Sequence, residues 1–174
     1  MPDWLKMTYA VASKRDKFRI AAENPNKMAV VRKLLARHAD AHILLIGVYL
    51  DQLEEMAREL NAPLITGKIK NRDREELYSR FKDGDIRLLV VSKVANFAID
   101  LPDANVAIEV SGSFGSRQEE AQRLGRVLRP KKGENKAYFY TVVSLQTREE
   151  EFSMHRQLFL TEQGYPYKIS DEEV

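Results

Sequence analysis

Short apolar runs, each followed by a charged stretch of helical period, recur along the whole chain. His42-Ile43-Leu44-Leu45-Ile46 is the first such run and Gly47 ends it; residues 86–91, 105–110 and 137–143 repeat the pattern, and Leu64-Ile65 is a shorter version. These runs stay apolar through successive positions, so they read as strands buried on both faces. Between them lie the helical stretches. Asn24-Pro25 supplies a side-chain acceptor at the cap and a proline in the first turn, and predicts a helix from there to about residue 38. Further helices are predicted over residues 51–60, 71–82, 116–126 and 147–163, the last stopped by Gly164 and followed by Pro166. Asp83-Gly84-Asp85 reads as a turn, and residues 3–20 as a basic, weakly amphipathic helix or leader.

Alternating strands and helices with strands of this kind call for an α/β fold of three layers: a mostly parallel sheet covered by helices on both faces. Such a sheet presents ligands at the carboxyl ends of its strands. There is no internal repeat, low-complexity stretch or long Gly/Ser linker. The expected organisation is one domain over residues 23–174 behind a leader of residues 1–22.

Composition narrows the function. Of 174 residues 44% are apolar and 31% charged. No apolar run approaches the roughly 20 residues that cross a bilayer, and Met1-Pro2-Asp3-Trp4 does not start like a signal peptide. A cytoplasmic protein without a membrane partner is the expectation. Cysteine is absent and His38, His42 and His155 are scattered, so no metal site is expected. Net charge is only +2, but residues 116–136 hold seven Lys or Arg against three Glu, and Lys6, Lys14, Arg15, Lys17 and Arg19 make the opening segment basic. Such segregation suits an anionic ligand, and equally a solvated charged surface.

Open α/β sheets commonly hold nucleotides, yet GxGxxG, GxxxxGK[ST] and an Asp-Glu pair closing an apolar strand are all missing. The chain cannot by itself cradle a triphosphate with its magnesium, so any ATP chemistry has to be completed by another domain. It carries instead Gln122-Arg123-Leu124-Gly125-Arg126-Val127-Leu128-Arg129. On a helix Gln122, Arg126 and Arg129 fall within about 60° of one another. Two arginines one turn apart form a fork suited to phosphate. Gly125 costs about 1 kcal/mol relative to alanine inside a helix, which a close approach at that point explains. An ordinary amphipathic helix with solvated arginines has the same periodicity.

These residues carry a family resemblance. QRLGRVLRP resembles motif VI of superfamily 2 helicases, Ser92-Lys93-Val94-Ala95-Asn96-Phe97-Ala98-Ile99-Asp100-Leu101-Pro102 resembles motif V, and residues 42–53 resemble motif IV. Residues 92–112 with 115–133 are particularly similar to XPB helicases, especially bacterial forms, and Asn24-Pro25-Asn26-Lys27 matches the start of that family's second lobe. Ala98 stands where many superfamily members have glycine.

The resemblance implies a C-terminal RecA-like lobe of an ATP-dependent 3′-to-5′ DNA helicase in DNA repair, with residues 1–22 leading in from the preceding lobe. Arg126 and Arg129 are then arginine fingers for the ATP γ-phosphate, Gln122 orients nucleotide or water, and Asp100 and Gly125 contact the nucleotide. Ser92 and Lys93 meet the DNA backbone, as do Thr66, Gly67 and Lys68 more weakly. ATP and Mg2+ are bound mainly by the N-terminal lobe, and the chain alone is inactive. Partners implied are DNA, that N-terminal lobe, and a repair nuclease or transcription and repair factors; the compartment is the bacterial nucleoid, or the nucleus in a eukaryote. The competing expectation is a non-catalytic RecA-like module that binds DNA or protein. Among neighbouring features, Trp4 is expected to anchor the leader, and Glu149–Glu151 to form a solvated first turn of the last helix.

Overall fold

The computed structural model describes residues 1–92, 104–112, 137–162, 164 and 166–170. Its five strands are β1 (Ile43–Gly47), β2 (Leu64–Ile65), β3 (Leu88–Ser92), β4 (Val106–Glu109) and β5 (Tyr138–Thr141). All described pairings are parallel, in the order β2-β3-β1-β4-β5. The helices are α1 (Asp3–Val11), α2 (Lys14–Ala22), α3 (Asn26–Arg37), α4 (Leu50–Glu59), α5 (Asn71–Asp83) and α6 (Arg148–Glu162). The helix expected over 116–126 lies outside the described residues.

The three-layer expectation holds because β1, buried along its whole length, has no solvated face. Side chains alternate across a strand, so Ile43 and Leu45 point to one side and join Val90, Val106, Ile108, Val31 and Leu34 of α3, and Leu53, Met56 and Ala57 of α4. Leu44 and Ile46 point to the other and join Ile65, Leu89, Val91, Ala107 and Phe81 of α5. Each fully buried aliphatic side chain contributes about 1.5–3 kcal/mol.

The chain leaves β1 for β2 at one edge and leaves β3 for β4 on the opposite side of β1. Connections therefore reverse direction around the β3–β1 pair, the arrangement that opens a ligand crevice beyond the carboxyl ends of an α/β sheet. Gly47 sits at that end of β1. A Cβ there would lie 2.8 Å from Ser111 Oγ and 2.9 Å from Leu53 Cδ2, so the β1–α4 turn packs directly on the exit of β4.

The leader differs from the single helix that residues 3–20 suggest. It breaks at Ser13, whose hydroxyl accepts the Asp16 N–H at 3.2 Å and starts α2. A serine with an acidic residue three positions on is a cap signal. At the end of α5, Gly84 adopts φ 90°, the left-handed C-cap that the turn requires. At the end of α3, His38 Nε2 lies 2.7 Å from Tyr140 Oη, and the ring lies against Tyr138 and Tyr140.

Gly47→Ala should destabilise the chain by about 1–3 kcal/mol through overpacking, and Ser111→Ala added to it should recover part of that loss, both read by chemical denaturation. A second expectation concerns acid. Burial, with a smaller push from the Arg37 charge, holds the His38 pKa below 6.5. The unfolded chain then binds the proton more readily, so stability is full above about pH 6.5 and falls as pH drops through the lowered value. Melting curves between pH 7.5 and 5 should show a smaller acid loss for His38→Gln than for the parent.

Candidate functional site

The carboxyl edge of the sheet gathers Gly47, Thr66, Ser92, Ser111 and the turn after β5. Ser111 Oγ accepts the Val48 N–H at 2.8 Å, tying the β1–α4 turn to the segment leaving β4. Thr66 forms a compact turn: its Oγ1 accepts the Lys68 N–H at 3.3 Å, its carbonyl accepts from Ile69 at 3.2 Å, and Gly67 and Lys68 stand exposed. Ser92 sits opposite Gly47 in register and is only 1% exposed. Lys93, Asp100, Gln122, Gly125, Arg126 and Arg129 lie outside the described residues.

Close to this edge lies a buried charge, Lys27, in the first turn of α3 and 2% exposed. Its Nζ donates to the Val110 carbonyl at 2.6 Å and pairs with the Glu149 carboxylate at 2.9 Å. Glu149 also accepts the Ser144 N–H at 3.0 Å. Ser144 Oγ donates to the Ala21 carbonyl at 2.7 Å and accepts from Asn24 Nδ2 at 3.0 Å. The Thr147 hydroxyl donates to the Ser144 carbonyl at 2.6 Å. One network thus joins the end of α2, the start of α3, the exits of β4 and β5 and the start of α6. It corrects the expectation for Glu149: the residue is 14% exposed and paired, not part of a solvated turn. Nothing in the charge pattern separated Glu149 from Glu150 and Glu151. The spacing Ser144…Glu149 before a helix was a weak cue.

Two other expectations about the leader change. Trp4 is 65% exposed and Leu5 is the buried residue of α1, so Trp4 does not anchor that helix by burial. Its basic charges are partly engaged inside the chain: Lys6 pairs with Asp3, Arg19 with Glu23 and Asp51, and Lys17 lies over the Tyr9 ring. Arg19 also covers Tyr49, whose pKa is raised mainly by burial. Among the described residues no group of His, Cys, Asp and Glu could hold a metal ion, and no helix is long and apolar enough to cross a membrane.

Strand order and layering together define an α/β domain of the RecA-like class. The C-terminal domain of the DEAD-box protein Dbp5 superposes with a TM-score of 0.66 over 83% of this chain and 82% of that one, at 14% identity. The family model for the ERCC3/RAD25/XPB C-terminal helicase matches residues 1–173, and the chain belongs to that family. It is 54% identical to the "DNA 3'-5' helicase XPB" of Kineococcus radiotolerans over 98% of its own length, and 53% identical to that of Mycobacterium tuberculosis over the same share. It spans 31% of each of these relatives.

Glu149→Leu leaves the Lys27 ammonium buried without its carboxylate, and should cost about 3–5 kcal/mol. Denaturant unfolding of the 174-residue chain measures it; a cost below about 1 kcal/mol, the ceiling for an exposed pair, counts against this description of the pair.

Proposed function

We propose that the chain is the second motor lobe of an ATP-dependent 3′-to-5′ DNA helicase or translocase that acts in DNA repair. The observation that carries this reading is the match to the XPB C-terminal helicase family along nearly the whole chain. In it, residues 1–22 come from the preceding lobe, and residues 23–174 are the RecA-like domain on which they dock through Ser144 and Asp51. ATP and Mg2+ belong mainly to the N-terminal lobe, which supplies the GxxxxGK[ST] loop that this chain lacks. The work would be done on the bacterial nucleoid, with a repair nuclease or other repair factors as further partners.

When the lobes close, Arg126 and Arg129 donate to the γ-phosphate oxygens as charge spreads over them, and Gln122 orients the attacking water. Asp100 accepts from the ribose or links the nucleotide to the two arginines, and Gly125 allows the close approach. Groups that act mainly on the transition state change turnover more than ground-state binding. The DNA backbone meets Lys93 and the exposed Thr66-Gly67-Lys68 turn, with Ser92 ending β3 immediately before Lys93.

In a protein holding both lobes, Arg126→Ala or Arg129→Ala should lower ATP turnover about 10³-fold or more while DNA affinity at fixed salt stays nearly intact. Lysine at either position should restore little, because it keeps the charge and loses the planar fork. Unchanged turnover sinks the assignment, and lost DNA affinity without an ATPase to lose identifies a binding module instead. On the DNA side, Lys68→Ala and Lys93→Ala should weaken binding equally for unrelated sequences and each reduce the salt slope by about one. An unaltered slope for both removes these residues from the DNA path.

A further inference from the structure

Lys27 is more than a packed lysine. Its ammonium lies at the point where β4 ends, and Arg126 and Arg129 follow β4 in the sequence. The exit of β4 is held from both sides. The Val110 N–H donates to the Ile46 carbonyl at 2.9 Å, its carbonyl accepts from Lys27 at 2.6 Å, and the next residue, Ser111, accepts from Val48 at 2.8 Å. Through Glu149 the same ammonium is tied to the Ser144 N–H beyond β5. Four separate pieces of chain thus meet on one ion pair: α3, the β4 exit, the β5 exit and α6. An apolar residue of similar volume would satisfy the core around Lys27 without the desolvation cost of a buried ion pair, so stability alone does not call for a charge here. A directional donor to the Val110 carbonyl does.

We propose that Lys27 is a positioning residue for the carboxyl edge: it sets the exit of β4 so that the arginines following it in the chain meet the nucleotide. The proposal rests on the motor-lobe reading above. Misplacing a group by about 1 Å can cost some two powers of ten in rate without weakening substrate binding. Lys27 touches neither nucleotide nor DNA in this scheme and acts through Val110.

The test uses the two-lobed protein with Lys27→Met and with Lys27→Met/Glu149→Met. The single variant strands Glu149 and should lose both melting temperature and turnover. The double variant removes both charges and should regain the melting temperature while kcat stays about tenfold or more below the parent. The KM for ATP and the DNA dissociation constant should stay within about twofold. Recovery of kcat together with the melting temperature would make Lys27 merely structural and overturn the proposal, as would full kcat in both variants. A second arm needs no ATPase. In the 174-residue chain, exchange of the Val110 and Val48 N–H groups, which donate to the Ile46 carbonyl and to Ser111 Oγ and not to an altered side chain, should quicken about tenfold or more in the double variant, while Leu44 and Leu89 at the sheet centre stay protected. Unchanged exchange at both overturns the proposal. If the parent two-lobed protein hydrolyses no ATP, the motor-lobe reading fails, and the exchange arm alone decides whether Lys27 sets the β4 exit.

Discussion

The Lys27 ammonium, 2% exposed, obliges the exits of β4 and β5 and the start of the last helix to arrange themselves around a charge. Removing such a group from water costs several kcal/mol unless an opposite charge and hydrogen bonds replace the solvent. Here the replacement comes from the Glu149 carboxylate and the Val110 carbonyl, which belong to distant parts of the chain. Because Glu149 also accepts from Ser144, and Ser144 donates to Ala21, the compensation passes on to the end of the leader. Leader, sheet edge and last helix are in this way parts of one polar structure laid against an apolar sheet.

The sheet supplies the rigid half of that arrangement. Parallel strands buried on both faces leave only their ends for chemistry, and the reversal of connections around β3 and β1 concentrates those ends at one crevice. Gly47 brings the β1–α4 turn so near to Ser111 that the β1 and β4 exits cannot move independently. Displacement at one of these strand exits is therefore shared by its neighbour. The Thr66-Gly67-Lys68 turn differs: it follows the two-residue strand β2 with Gly67 and Lys68 exposed, outside the hydrogen bonds that tie the exits of β1, β4 and β5.

Much of the fold was legible in the chain. The five apolar runs became the five described strands, with bounds displaced by a residue or two, as at β3, which begins at Leu88 because Ile86 and Arg87 still belong to the approach. The Asp83-Gly84-Asp85 turn and the Gly164 stop both carry positive φ at glycine. The motifs that carry the family resemblance were legible through their residue types and order, and the family match accords with that resemblance. The leader was less so. A serine cap in the middle of a basic stretch splits it into two helices, and hydrophobicity alone favoured Trp4 as its anchor when Leu5 is the residue that packs. Glu149 was read with its neighbours because a run of three carboxylates looks alike until one of them meets a buried ammonium.

What this chain determined by itself is therefore whatever rests on local pattern: strand burial, helix stops, the α/β alternation and the order of its motifs. Those follow from period, chirality and side-chain chemistry within a few residues. Tertiary structure alone decided which polar groups share a site. Lys27 and Glu149 are 122 positions apart, and Asn24 and Ser144 are 120. Their pairing depends on the strand order β2-β3-β1-β4-β5, which brings the exits of β4 and β5 beside the start of α3. Desolvation then makes the choice among equivalent residues: of three successive glutamates, the one carried into the interior must find a cation, and the folded chain provides Lys27 there.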